Sequence, residues 1–302
     1  MLQLILYITA IILLIYKTIS SKNPKDLFLF IFFFILTFIS AIYLNLSILN
    51  LLSGYIIFNI IISSYGTKKL ELFILPGIYF VFVANIYGLS LITMSIFFGG
   101  ISSYNIYPKK TNAIKKTTYK KEVRRNIFTI LGGFAVLGLL IFTGFNEYLL
   151  MAFIFLAGIT LLNNVILHNA GFISKFLYGL ERDNFRLGHG ALWLGIGACF
   201  ALSYMSNTLA LSTIGIIFIA DSVSPLIGMR YNKIKLPYNK KKTIPGTISY
   251  FIAALFLSYI FIGVYAFIVA FVSAIVESLP ISLDDNIDVP VALFLLAKLI
   301  SI

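Results

Sequence analysis

The chain has 302 residues, 60% of them hydrophobic and 11% charged, with a mean hydropathy of +0.99 and a formal net charge of +12. No soluble domain conceals that much apolar surface, because a globular fold still needs a wet exterior. A lone cysteine, Cys199, excludes a disulfide within the chain.

Apolar runs recur along the whole length. The first, Leu2–Ile15, has no basic residue before it and no small-residue cleavage site after it, so it reads as a retained helix rather than a signal peptide. Leu27–Leu44, Ile48–Ile62, Leu70–Ile86 and Leu89–Ile106 follow, and the basic run Lys109–Arg125 separates them from Ile127–Phe145 and Tyr148–Leu167. Inside the last of these, Asn163, Asn164 and His168 are suited to interhelical hydrogen bonds. Gly190–Met205, Thr208–Ala220, Gly246–Ile262, Gly263–Val276 and Val289–Ile302 complete the set. The expected fold is an all-α polytopic transmembrane bundle of about twelve spans, because helices satisfy their own backbone in lipid. Several runs are shorter than the roughly 20 residues of an upright span, which implies tilted, broken or re-entrant segments. Residues 1–170 carry no motif. Residues 171–302 hold polar clusters and form the expected catalytic region.

Counting outward from Lys109–Arg125 puts Lys17, Lys22, Lys25, Lys68, Lys69, Lys175–Arg186 and Arg230–Lys242 on the same side. Of 23 lysines and arginines only Lys298 escapes, while the connections around Asn45, Tyr87, Glu147, Asn207 and Gly263 carry no positive charge. The positive-inside rule then places that side in the cytoplasm and the N-terminus outside. The same parity assigns Glu181–His189, Asp221–Thr247 and Glu277–Asp288 to one cytoplasmic face. That inference requires an even number of helices between the clusters.

Asp221-Ser222-Val223-Ser224-Pro225 closes an apolar run, and Ser224 before Pro225 has the form of an N-cap opening a new helix. By helical rise Asp221 lies roughly 20 Å from the far end of its span, where an ionised side chain needs a cavity, a partner or a metal. The alternative is a capping aspartate at the water boundary. Lys240-Lys241-Lys242-Thr243 runs through Pro245 into Gly246-Thr247. A helix start with a glycine and nearby ammonium groups suits a phosphate chain, though cytoplasmic loops are also basic for topology alone. For Lys109–Arg125, orientation or contact with acidic lipid headgroups is the expected role. Glu277 ends an apolar helix, and Asp284-Asp285-Asn286, with Asp288, precedes the last one. Adjacent hard oxygen ligands suit Mg²⁺ or another divalent cation, while Asp285 or Asp288 is alternatively a helix cap. Arg186 and His189 share a helical face, the first suited to a phosphate and the second to a hydrogen bond or proton shuttle.

Taken together, residues 181–292 resemble the membrane family that includes dolichol kinase and phytol kinase and is related to phosphatidate cytidylyltransferase. The residues carrying the resemblance are Arg186 with His189, Asp221 followed by Gly228, Lys242-Thr243 with Gly246-Thr247, Glu277, and Asp284-Asp285-Asn286 with Pro290. The chain departs from the family pattern in several places. Ala220 stands where glycine is usual, Ser224 where alanine is usual, and Pro245 where glutamate is favoured; only Arg186 remains of a basic pair ahead of the histidine.

The resemblance implies a CTP-dependent lipid kinase making a polyprenyl monophosphate, with dolichol as substrate or, alternatively, a shorter prenol of the geranylgeraniol or phytol type. In that reading Asp221, Glu277, Asp284 and Asp285 place the divalent cation. Arg186, Lys241, Lys242, Thr243, Gly246, Thr247 and Asn286 hold the nucleotide, and Asp221, Asp285 and His189 are the expected catalytic groups. A cytidylyltransferase would use the same CTP site on a lipid phosphate. A transporter would use Asp221 and Glu277 as coupling residues, with polar midplane groups and a repeat that this chain lacks. The expected partners are membrane lipid, a prenol and CTP, and no nucleic acid. The Ile/Lys/Asn-rich usage points to a microbial plasma membrane.

Overall fold

The computed structural model of the protein describes residues 2–20, 24–63, 89–102, 119–142, 179–180, 189–231, 234–280 and 284–300. Among these residues the chain is helical, with one isolated antiparallel bridge, Lys235 to Thr243, in place of any sheet. The helices are α1 (Leu2–Ser20), α2 (Pro24–Tyr43), α3 (Ile48–Ser63), α4 (Leu89–Ser102), α5 (Tyr119–Phe142), α6 (His189–Tyr204), α7 (Asn207–Arg230), α8 (Ile244–Ile262), α9 (Ala266–Ser278) and α10 (Asp285–Ile300). They fall into two compact units. The described helices of the first are α1–α4; the second holds α5, α6 from Trp193 onward, and α7–α10.

Four stretches among the described residues are long and apolar enough to cross a membrane: Pro24–Tyr43, Tyr119–Phe142, Asn207–Arg230 and Ile244–Ser278. The expectation of about twelve spans is not supported. The windows at Ile48, Leu89 and Gly190 become helices of 16, 14 and 16 residues. Those at Leu70–Ile86 and Tyr148–Leu167, with Asn163, Asn164 and His168, lie outside the described residues. Hydropathy windows register apolar length alone, and a segment buried against its neighbours is as apolar as one that faces lipid. The Thr208–Ala220 window also does not stop at Asp221, because its helix continues unbroken to Arg230.

In the first unit, polar groups on apolar helices find partners across the bundle. The Tyr55 hydroxyl donates to the Phe30 carbonyl at 2.7 Å, Tyr7 donates to Asn50 at 3.0 Å, and Asn59 bonds Ser102. Buried polar atoms in apolar surroundings need such partners. Lys17, in the last turn of α1, pairs with Asp26, in the first turn of α2, at 3.1 Å. Each charge complements the dipole of its own helix end. Asn45, at φ 51°, ends α2, with the Leu46 N–H returning to the Ala41 carbonyl at 2.9 Å. Asparagine tolerates that left-handed cap better than most residues.

The second unit is organised by a helical hairpin. α8 runs for 19 residues, about 28 Å. Gly263, at φ 54°, ends it, and a single 3₁₀ turn, Gly263–Tyr265, leads into α9. α9 packs back along α8, so Ile244–Ser278 is one apolar stretch by composition but two antiparallel limbs in space. Its two ends meet: Lys242, just before α8, lies 2.6 Å from Glu277, one residue from the end of α9. α7 packs against both α8 and α5.

Candidate functional site

Three helices of the second unit each bring one carboxylate to a common point. Asp221 comes from the middle of α7, Glu277 from the last turn of α9 and Asp285 from the first residue of α10, with one oxygen of each within 4.8 Å of the others. Glu277 is 2% exposed, and its Oε2 is buried without a hydrogen-bond partner.

The backbone beneath Asp221 is irregular. Ile216–Ala220 forms a π turn, and the Asp221 N–H reaches back five residues to the Ile216 carbonyl. Four residues after Asp221 stands Pro225, which has no N–H to give the Asp221 carbonyl. The helical ladder is therefore altered on both sides of Asp221; π turns of this kind recur at functional sites. Ser224 is not an N-cap: it lies inside α7, and its hydroxyl donates to Glu277 Oε1 at 3.3 Å. The Ser-Pro signature misleads here because the helix runs on through Pro225, at the loss of one N–H donor to the Asp221 carbonyl.

Lys242 enters the cluster from the loop before α8. Its ammonium lies 2.6 Å from Glu277 Oε1 and 2.7 Å from Asp285 Oδ2. Burial works against its charge, but the carboxylates of Glu277, Asp285 and Asp221 outweigh burial and hold its pKa above the ordinary lysine range. The loop is braced for this. Leu236 N–H donates to the Lys242 carbonyl and Ile244 N–H to the Ile234 carbonyl, at 3.1 and 3.0 Å. Asn239, 6% exposed, donates to the Ser278 carbonyl at 2.9 Å, and Tyr238 bonds the Ser278 hydroxyl at 2.8 Å. Asn239 and Tyr238 thus clip the lysine loop to the end of α9, a role the sequence reading missed. The only available signal was a Pro-Tyr-Asn turn ahead of the lysines.

Other residues singled out in the sequence have different placements. Lys241 is exposed, whereas its neighbour Lys242 faces the acids. Thr243 caps α8, its hydroxyl oxygen accepting from the Gly246 N–H at 3.2 Å, so that N–H already has a partner. A Cβ on Gly246 would stand 2.9 Å from Thr243 Oγ1 and 3.1 Å from the Ser224 carbonyl. A Cβ on Gly228 would stand 2.8 Å from the same Oγ1. These glycines let α7 and α8 approach each other. Thr247 Oγ1 is buried and without a partner. The cap of α10 is Asp284, neither Asp285 nor Asp288. Its Oδ1 accepts from the Asn286 N–H at 3.2 Å and from Asn286 Nδ2, because an N-cap must stand before the first helical residue. Asn286 Oδ1 and Asp288 Oδ2 are buried without partners. Burial first, then Asp285 and Asp284, push the Asp288 carboxyl up to about 6. Arg186 and the His189 side chain lie outside the described residues; the His189 backbone opens α6.

Comparison with known proteins adds an independent line. The chain is 35% identical over 111 residues to phytol kinase 1, chloroplastic, of Arabidopsis thaliana, covering 29% of this chain and 36% of that protein. It is 32% identical over 130 residues to a probable phytol kinase 2, chloroplastic, of Oryza sativa, covering 37% of this chain and 43% of the relative. An uncharacterized protein of Methanocaldococcus jannaschii is 35% identical over 106 residues, or 34% of this chain and 54% of that one. The chain is similar to proteins named phytol kinase. The matched region spans about half or less of these relatives' length. No family model matches, and no solved structure matches.

The cluster also depends on helix contacts made without side chains. Gly197 of α6 faces the start of α10 so closely that a Cβ there would come within 1.9 Å of the Asn286 carbonyl oxygen. Neither backbone can yield by a rotamer change. Gly197→Ala is expected to cost about 1–3 kcal/mol and to displace the turn that carries Asp285. Thermal unfolding in detergent, run beside turnover, checks this: both fall together if α10 is pushed out.

Proposed function

We propose that this protein is a membrane prenol kinase that moves the γ-phosphoryl group of CTP to the hydroxyl of a prenol. The alcohol is a C20 phytol-type prenol or a dolichol. The observation that carries this reading is the convergence of Asp221, Glu277, Asp285 and Lys242 from α7, α9, α10 and the loop before α8. Similarity to proteins named phytol kinase supports a prenol as the alcohol.

The donor set fits a divalent cation. Its oxygens are hard ligands of the kind such an ion takes, and one oxygen of each acid lies within 4.8 Å of the others. The unpartnered buried Oε2 of Glu277 also has no better use. Asp221, Glu277 and Asp285 would hold the ion, which when bound neutralises phosphate charge as the bond to phosphorus changes. Lys242 and the exposed Lys241 supply cationic partners for phosphate oxygens. In the reaction the prenol oxygen bonds to the γ-phosphorus, the bond to the CDP oxygen breaks, and the alcohol proton leaves for a cluster carboxylate or His189. Such transfer needs mainly positioning and charge neutralisation, and rigid helices with a clipped loop supply the positioning.

We also place the cluster on the cytoplasmic face of a microbial plasma membrane, a reading supported by the basic stretch Arg230–Lys242 that leads into it. The protein reconstituted in lipid with CTP, Mg²⁺ and an equimolar set of phytol, geranylgeraniol and dolichol tests the kinase reading by mass spectrometry. A monophosphate of at least one alcohol is expected. Absence of every alcohol phosphate, with protein folded and CTP in excess, would sink the reading.

A further inference from the structure

A group of the chain itself competes for the acids of the cluster. Three carboxylates and one ammonium converge, and the ammonium of Lys242 touches two of the three, Glu277 at 2.6 Å and Asp285 at 2.7 Å. A divalent ion held by the same three oxygen atoms would lie within a few ångströms of that ammonium, and like charges so close repel strongly even with solvent screening. The second oxygen of Glu277 is nevertheless buried and unpartnered, so the ammonium satisfies the acids only in part. The lysine side chain is 23% exposed and sits on a loop rather than a helix, and Asn239 and Tyr238 also clip that loop to α9 alongside the Lys242–Glu277 pair.

We propose that Lys242 is a tethered counter-ion that excludes a bare divalent cation and yields its place only when a polyphosphate draws its ammonium away. The site then takes a metal together with a phosphate chain, and not a metal alone. This rests on the metal reading of the cluster. Lys242 is a specificity-determining residue in this account. It holds the acids in register in the absence of nucleotide, and with nucleotide bound it becomes a partner of the phosphate oxygens. Lysine suits such an exchange, since its ammonium is a compact charge on a flexible stem, whereas the planar guanidinium of arginine favours a fixed fork.

The test is equilibrium dialysis of Mn²⁺ against the full chain in lipid nanodiscs, at matched free Mn²⁺, with and without inorganic tripolyphosphate. Wild type is expected to hold Mn²⁺ at least tenfold more tightly when tripolyphosphate is present. Lys242→Gln is expected to bind Mn²⁺ alone at least tenfold more tightly than wild type, with the tripolyphosphate enhancement reduced by a similar factor. Lys242→Arg should still exclude the bare ion. The wild-type comparison stands without any variant, so a poorly folded Lys242→Gln does not spoil the test. Wild type holding Mn²⁺ equally well with and without tripolyphosphate, or Lys242→Gln matching wild type for bare Mn²⁺, overturns the role of Lys242 and leaves the metal site intact. Failure of wild type and variants to retain Mn²⁺ under either condition overturns the metal reading itself, and this inference with it.

Discussion

Asp221→Asn is expected to lower turnover at least a hundredfold while the protein still folds. Asparagine keeps the shape of the side chain, so the π turn at Ile216–Ala220 and the contacts of α7 with α8 are undisturbed. What disappears is one of three negative charges around the cluster. Weakening the hold on the ion that would neutralise the reacting phosphate is expected to cost about 3 kcal/mol of transition-state stabilisation, or a factor of about 10²–10³. The loss should appear in kcat and in the Mg²⁺ concentration needed for half-activity, with little change in the alcohol's KM. Near-normal turnover in a well-folded Asp221→Asn protein would remove the cluster from the chemistry.

Glu277→Leu should instead be a folding defect. Glu277 is 2% exposed and receives both Lys242 and Ser224, so leucine strands a half-buried ammonium and a buried hydroxyl. Breaking a buried ion pair by deleting one partner costs roughly 3–5 kcal/mol. The lower end applies because Lys242 keeps Asp285. The double change Glu277→Leu with Lys242→Met should recover most of that stability and none of the activity. Thermal unfolding of the two proteins side by side measures this. Equal melting temperatures for single and double variants would show that the Lys242–Glu277 pair does not hold the loop to α9.

The all-helical fold was legible because apolar runs this long leave the backbone few other ways to satisfy itself in lipid. Asp221, Glu277 and Asp285 stood out as acids in a chain nearly devoid of them, and the structure sets them in one cluster. The number of spans was not legible. Gly263 between two apolar runs marks a turn equally well whether the limbs are full crossings or a hairpin. The continuity of α7 was hidden too, because a proline after a serine looks like a helix start, whereas here Pro225 lies inside the helix. Thr243, Gly246 and Gly228 carry a phosphate-loop composition, yet in the fold they make a cap and a close helix contact, two uses of small residues that sequence alone does not separate. Asn239 was invisible for a different reason. Its partner is a backbone carbonyl 39 positions away, and carbonyls leave no mark in a sequence.

A kinase and a cytidylyltransferase would need the same metal and triphosphate groups and would differ in the acceptor and in the phosphorus that is attacked. Paired reactions of the lipid-reconstituted protein, with Mg²⁺, a prenol and a lipid phosphate, separate them when one carries CTP labelled at the γ-phosphorus and the other CTP labelled at the α-phosphorus. Label in lipid from the γ-position alone, carried on a prenyl monophosphate, is the expected result. Label from the α-position, or from neither, would contradict the kinase reading.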